Sequence, residues 1–160
     1  GGADMASLLF MREAEIKHSR LAMLAVIGWP LAELFDKPIA DRLGLPSLLT
    51  STGESPSVLN GGLDKIGVYY WGATILLAGF VELANKKTKA SKGKDYTPGD
   101  CGFDPLGFMP TDEKEKFDMQ TKELKHGRVA MMAILGFVVQ EALYRVPVVD
   151  ETPFFFKPLF

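Results

Sequence analysis

The sequence has little cysteine and no excess of positive charge. Cys101 is the single cysteine in 160 residues, so it forms neither an intrachain disulfide nor a cysteine-based zinc or redox motif. Lysine and arginine number 18 against 20 aspartates and glutamates, which gives a formal net charge of −2. A nucleic-acid binder needs a basic surface to displace counterions from phosphates, so we exclude nucleic acid as a partner.

Long hydrophobic runs are also scarce. The segment 66–84, IGVYYWGATILLAGFVELA, has 19 residues with Glu82 as its one charge. Because a hydrocarbon core of ~30 Å needs ~20 apolar residues, this segment gives the clearest transmembrane signal. The apolar runs 21–34 and 129–139 are shorter, so hydropathy alone also allows buried core helices or interfacial segments there.

The two shorter runs belong to an internal repeat. EIKHSRLAMLAVIGWPLAE from Glu15 recurs 108 residues later as ELKHGRVAMMAILGFVVQE from Glu123, with nine identities in nineteen positions. Both copies are rich in alanine, leucine and methionine, which favour helices. The glutamates that end the copies, Glu33 and Glu141, are expected at the membrane interface, where either can also act as a ligand.

The distribution of lysine and arginine favours three membrane crossings. If all three apolar runs cross, 13 of these residues lie on one side and 5 on the other. Such an imbalance is typical of membrane proteins, which retain positive charge on the side that is not translocated. We therefore predict an all-α membrane protein, a single domain of residues 1–160 with spans of about 12–35, 63–86 and 117–145.

Each copy of the repeat carries the spacing E-x-x-H-x-R. An ionised residue inside a membrane costs roughly 2.5 to 3.5 kcal/mol on insertion scales, and this arginine lies too far round the helix to pair with its own glutamate. If the first and third helices cross as a pseudo-twofold pair, Glu15 meets Arg128 and Glu123 meets Arg20. Small residues that permit close helix approach are Ala22, Ala25, Gly28, Ala130, Ala133 and Gly136.

A carboxylate neutralised by arginine, with a neutral imidazole one turn away, suits a metal that has one open axial position. The magnesium of chlorophyll is such a metal. Gln140 lies 14 residues beyond His126, within ~40° of the same helix face, so a second macrocycle can bind there. Glu82 is a functional candidate as an intramembrane acid, and the alternative is a solvated helix end where it pairs with Lys86.

The paired E-x-x-H-x-R helices, the middle span ending FVELA and the loop PGDCGFDPLGF resemble the light-harvesting chlorophyll-binding family over nearly the whole chain. The resemblance implies a three-helix thylakoid protein whose first and third helices cross, with carotenoids in the grooves beside the cross. It implies chlorophyll ligands at Glu15, His18, Glu82, Glu123, His126 and Gln140, ion-pair partners at Arg20 and Arg128, and a carotenoid head-group loop at Phe103, Asp104 and Pro105.

The tail VPVVDETPFFFKPLF and the segments GWPLAEL and PSVLNGG are most similar to fucoxanthin chlorophyll a/c antennae of algae with secondary plastids. The implied cofactors are chlorophyll a, chlorophyll c, fucoxanthin or a related xanthophyll, and lipids. The implied location is the plastid thylakoid membrane with the N-terminus on the stromal side. The implied partners are a photosystem core, photosystem I rather than II, and neighbouring antenna subunits. The expected function is light harvesting rather than enzymatic catalysis.

Three alternatives remain open at this point. A photoprotective, energy-dissipating relative carries the same motifs. A di-metal carboxylate protein also uses Glu-x-x-His from two helices, but it needs a glutamate from each of two more helices, and arginine near a dinuclear centre is unfavourable. A transporter also buries charges, but symmetric pairing on three helices leaves no evident aqueous cavity.

Overall fold

The computed structural model describes residues 4–93 and 96–156. Within these ranges the chain forms three long helices, α1 (Met5–Leu43), α2 (Val68–Lys92) and α3 (Glu113–Tyr144), and two short ones, α4 (Val148–Glu151) and α5 (Pro153–Phe156). The described residues contain no β-strand, and this confirms the all-α class. The end of the tail motif, 157–160, lies outside the described residues.

Local sequence explains where the long helices begin and end. Asp112 caps α3, because its Oδ2 accepts the backbone N–H of Glu115 at 3.3 Å. Glu113 and Glu115 in the first turn of α3 complement the helix dipole. Gly44 follows the last residue of α1 with a φ of 65°, a conformation that glycine adopts without strain, and the next residue closes a hydrogen bond to Ala40 O.

Length alone permits each long helix to cross a bilayer. With 39, 25 and 32 residues, α1, α2 and α3 measure ~58, ~37 and ~48 Å, against a hydrocarbon core of ~30 Å. Among the described helices, α3 alone is also apolar enough over 18 residues to be a span by composition. The sequence had singled out the middle segment instead. Helix α2 does not meet this composition criterion, and its first turn carries Tyr69, Tyr70 and Trp71, rings that favour the membrane interface. The three membrane spans remain a prediction.

The chain divides into two compact units. Unit 1 comprises Gly1–Leu21 and Tyr69–Val129, and unit 2 comprises Ala22–Val68 and Ala130–Phe160. The buried side chains of unit 1 include Ser19 and Asn85, both polar. The buried apolar side chains of unit 2 are Ala22, Ala40, Ala130, Val148 and Val149.

Helix α2 is apolar on the outside. Its exposed residues include Leu76, Phe80 and Leu83, with 76%, 70% and 67% of their surface accessible, while its one buried residue is Asn85. Exposing this much apolar surface to water is unfavourable by about 25 cal/mol for each Å². The helix therefore requires a covering of lipid, pigment or another apolar partner.

Candidate pigment-binding site

Two reciprocal ion pairs join α1 to α3 in unit 1. Arg20 Nε lies 2.6 Å from Glu123 Oε1, and Arg128 Nε lies 2.8 Å from Glu15 Oε1. The structure thus brings together the four side chains that the repeat had paired. The pairs are unequal, because Glu15 also accepts a hydrogen bond from Arg12 at 2.8 Å, a contact that sequence reasoning missed.

Arg20 has a second acceptor in the loop that precedes α3. Its Nη1 donates to Gly99 O at 2.7 Å. Both oxygens of Glu15 accept hydrogen bonds, whereas Glu123 Oε2 has no hydrogen bond to any residue in the described part of the chain. Glu123 therefore presents a charge-neutralised carboxylate with one oxygen available to a metal.

The two histidines are held alike. His18 Nδ1 lies 2.7 Å from Ala14 O and His126 Nδ1 lies 2.8 Å from Lys122 O, one turn back on each helix. A carbonyl oxygen only accepts hydrogen bonds, so Nδ1 carries the proton. In the neutral ring the lone pair is then on Nε2. Both side chains are exposed, so each Nε2 is accessible to a metal ion.

Glu82 makes a contact that the sequence did not anticipate. Its Oε2 lies 2.9 Å from Lys17 Nζ of α1, and within the described residues it forms no ion pair with Lys86. The solvated helix end stabilised by an i, i+4 pair is therefore not what the structure shows. The carboxylate is instead neutralised across two helices, as Glu15 and Glu123 are.

A cluster of polar side chains surrounds this pair. Glu13, whose side chain is 12% exposed, lies 3.4 Å from Lys17 Nζ and 2.7 Å from Lys89 Nζ. Asn85 Nδ2 donates to Glu13 Oε1 at 3.4 Å, and Tyr96 Oη donates to Asn85 Oδ1 at 3.4 Å. In the sequence, the i, i+4 spacing of Glu13 and Lys17 was the feature that could have predicted their ion pair on α1.

Helices α1 and α3 approach each other closely in unit 1 at Ser19 and Gly127. A Cβ built on Gly127 would overlap the side chain of Ser19, which is 1% exposed. The expected contacts at Gly28 and Gly136 are not observed, since no described residue beyond the adjacent turns of the same helix lies within 4 Å of a Cβ built there. Glycine is required at position 127 because the backbone passes directly over its counterpart in the other copy of the repeat.

The predicted carotenoid loop is organised by Asp104. Its Oδ2 accepts the N–H of Met109 at 2.9 Å and its Oδ1 accepts the N–H of Phe108 at 3.0 Å. These backbone donors, Met109 first, lower the pKa of Asp104. Phe103 and Pro105, on either side, are both exposed. Asp104 thus fixes the loop, while its neighbours present apolar surface.

An open groove of about 1700 Å³ runs along this part of unit 1. Apolar residues of α1, α2 and the loop form much of its wall, among them Ile16, Leu77, Phe80, Val81 and Phe103. It is larger than the ~300–1,000 Å³ pockets that hold drug-sized ligands. Its size and apolar lining suit a long hydrophobic ligand, and the two arginine–glutamate pairs also line it.

Unit 2 contains Gln140 and a buried glutamate next to it. Gln140 is half-buried on α3. Glu141 is fully buried within the protein, and it accepts hydrogen bonds from Trp29 Nε1 at 2.7 Å and from Asn60 Nδ2. Its expected position at the membrane interface stays a prediction. Its counterpart Glu33 accepts the N–H of Val149 at 3.1 Å. Both interfacial assignments missed these donors, which come from distant parts of the chain.

The donor set fits chlorophyll better than a dinuclear metal centre. Glu15 and Glu123 are each bound to arginine, whose charge opposes a cluster of cations. Each adjacent imidazole instead offers a single nitrogen donor on an exposed apolar surface.

Comparison with known proteins also indicates a chlorophyll-binding protein. A family model for chlorophyll a-b binding protein matches residues 2–142. The chain is 35% identical to the light-harvesting complex stress-related protein 3.2 of Chlamydomonas reinhardtii over 149 residues, covering 88% of this chain and 55% of that protein. It is also 35% identical to a fucoxanthin-chlorophyll a-c binding protein of Isochrysis galbana over 154 residues, covering 89% and 68%.

Chlorophyll a-b binding protein 6A of Solanum lycopersicum is 34% identical over 151 residues, covering 89% of this chain and 56% of that protein. The chain thus spans just over half the length of the stress-related and the plant relative. The resemblance inferred from the repeated motif is confirmed, and the chain belongs to the chlorophyll a-b binding protein family.

Proposed function

We propose that this protein is a light-harvesting antenna of the plastid thylakoid membrane, which binds chlorophylls and carotenoids and passes excitation to a photosystem without catalytic turnover. The observation that carries the proposal is the reciprocal exchange of Glu15–Arg128 and Glu123–Arg20 between two copies of one motif. Each exchange leaves a neutralised carboxylate near a histidine whose Nε2 forms no hydrogen bond within the described residues.

The proposed magnesium ligands are Glu15, His18, Glu82, Glu123, His126 and Gln140. When bound, chlorophyll supplies the absorption of light. Each of these side chains would hold one chlorophyll through its magnesium, and the apolar helix surfaces would exclude water from the pigments. Phe103, Asp104 and Pro105 form the proposed carotenoid head-group loop, which lies at the wall of the groove in unit 1.

The proposed arrangement has three membrane-spanning helices, with α1 and α3 related by a pseudo-twofold axis. Reciprocal contacts between equivalent residues are expected of any such axis. Ser19 and Gly127, also equivalent in the repeat, support the same arrangement. The N-terminus is placed on the stromal side because 13 of the 18 lysines and arginines fall on its side of the proposed membrane.

The proposed pigments are chlorophyll a, chlorophyll c and fucoxanthin or a related xanthophyll, with lipids covering the remaining apolar surface. The similarity to the fucoxanthin-chlorophyll a-c binding protein supports this set. The proposed partners are a photosystem core, photosystem I rather than II, and neighbouring antenna subunits.

The test is reconstitution of the full chain with chlorophyll a, chlorophyll c and xanthophyll, followed by absorption and fluorescence excitation spectroscopy. We expect a pigmented complex in which light absorbed by the carotenoid and by chlorophyll c excites chlorophyll a fluorescence. A chain that folds yet remains colourless would refute the proposal. Binding without energy transfer would refute the antenna role.

A second candidate function is photoprotective dissipation of excitation. Its support is that the stress-related proteins match this chain at the same 35% identity as the fucoxanthin-chlorophyll protein. The chlorophyll a fluorescence lifetime of the reconstituted complex separates the two functions. A lifetime close to that of unquenched chlorophyll favours harvesting, whereas a strongly shortened lifetime favours dissipation.

A further inference from the structure

Glu82 is neutralised by a residue of another helix. Lys17 Nζ lies 2.9 Å from Glu82 Oε2. Within the described residues Glu82 forms no ion pair with Lys86, which is one turn away on the same helix. Glu82 Oε1 accepts no hydrogen bond from the described residues. The side chain is 49% exposed, so this oxygen is accessible to a ligand.

Lys17 is itself held in place. Glu13, one turn back on α1, lies 3.4 Å from Lys17 Nζ. Glu13 is anchored to α2 by Lys89 at 2.7 Å and by Asn85 at 3.4 Å. The four charged groups alternate in sign, so the cluster is neutral and each charge faces an opposite one. This order fixes Lys17 at Glu82 rather than letting it extend into solvent.

Glu82 thus repeats the pattern of the two carboxylates on α1 and α3. In all three cases a cation from another helix binds one carboxylate oxygen at 2.6 to 2.9 Å. The second oxygen of Glu82 and of Glu123 has no hydrogen bond within the described residues, whereas that of Glu15 is bound by Arg12. A carboxylate without a cation would add a net negative charge to an apolar surface. A carboxylate paired with a cation offers an oxygen donor while the pair as a whole carries no net charge. Lysine in this role contributes a compact point charge and binds one oxygen only.

We propose that Lys17 is the positioning residue of a chlorophyll site at Glu82. It neutralises the carboxylate through Oε2 and leaves Oε1 for magnesium. This inference rests on the proposed antenna function. It also makes the pigment on α2 dependent on α1, since Lys17 forms the one ion pair that Glu82 makes within the described residues.

The repeat provides a matched control. Lys125 stands 108 residues after Lys17, at the same position of the motif. Its side chain is exposed, and it forms no ion pair with any residue in the ranges that the structure describes. Replacing Lys125 therefore removes an equivalent lysine from an equivalent helix without affecting Glu82.

The experiment measures chlorophyll per polypeptide after pigment extraction from the reconstituted full chain. We expect Lys17→Gln to bind one chlorophyll fewer than wild type, while Lys17→Arg and Lys125→Gln keep the full complement. The double variant Lys17→Gln/Glu82→Gln should regain the lost chlorophyll, because an amide oxygen is a neutral magnesium donor that needs no cation. A purely structural tether predicts no such recovery, since the double variant also lacks the ion pair.

Each outcome decides between defined alternatives. A full complement in Lys17→Gln, or no recovery in the double variant, overturns the role of Lys17 while the antenna function stands. A full complement in Glu82→Leu overturns the ligand role of Glu82. If Lys17→Gln fails to assemble at all, recovery in the double variant still supports the proposal and its absence refutes it. A wild-type chain without chlorophyll refutes the antenna function and this inference with it.

Discussion

The two arginine–glutamate pairs are predicted to differ in their contribution to stability. Arg20→Leu removes the one cation bound to Glu123 and also the donor to Gly99 O. An uncompensated charge in the membrane costs roughly 2.5 to 3.5 kcal/mol, and the lost hydrogen bond costs about 1 kcal/mol. Because the Glu123 side chain is 32% exposed, solvent screening reduces the total. We expect a destabilisation of about 2–3 kcal/mol.

Arg128→Leu should be milder. Glu15 keeps Arg12 at 2.8 Å, so its charge stays compensated. The lost pair is also more exposed, with 58% of the Arg128 side chain accessible. Exposed pairs contribute about 0–1 kcal/mol, so the two variants should differ by about 2 kcal/mol. For a domain of this size that corresponds to a Tm difference of roughly 4–8 °C.

The assay is thermal unfolding of the two pigmented variants in the same detergent, followed by circular dichroism and by loss of pigment absorption. Arg20→Leu/Glu123→Leu is the control, because it removes the stranded acid and should regain most of the lost stability. An Arg128→Leu protein that melts at or below the Tm of Arg20→Leu would show that Arg12 does not compensate Glu15. A double variant as unstable as Arg20→Leu would show that a stranded charge is not the cause.

Three further predictions concern the helix contact, a ligand and the loop. Gly127→Ala should lower the Tm because its Cβ meets Ser19, whereas Gly136→Ala, with open space around it, should be neutral or slightly stabilising; equal effects would contradict the close approach. His126→Leu should remove one chlorophyll and leave most others bound, and an unchanged pigment count would exclude it as a ligand. The pKa of Asp104 is lowered on folding, so its contribution to loop stability is present above its ordinary value of 3.8 and lost as pH falls through the lowered pKa. The protection factors of the Phe108 and Met109 amides, which are their exchange rates corrected for the intrinsic pH dependence, should therefore stay high at neutral pH and fall only as the pH drops through the lowered pKa. Asp104→Ala should lack this protection at every pH; protection in that variant would contradict the assignment.

The sequence was informative wherever the decisive pattern lay along a single helix. The 108-residue repeat, the E-x-x-H-x-R spacing and the apolar runs depend on helical periodicity, which is the same in any tertiary context. They predicted the all-α class and the family, and they named Arg20 and Arg128 as partners for Glu123 and Glu15. The number of membrane spans and the pigment ligands stay predictions.

Choices among competing partners required the tertiary structure. From the sequence, Glu82 had Lys86 within reach, yet α1 brings Lys17 closer, and Glu15 acquires Arg12 as a second partner. Glu141, at the end of the repeat, is fully buried, and its hydrogen-bond donors come from Trp29 and Asn60, which lie far away in the sequence. Helical periodicity determines which face of a helix a side chain occupies, but the residue opposite that face is determined by how separate segments pack. For this reason the sequence determined the motif and the family, and only the tertiary structure decided which cation neutralises each acid.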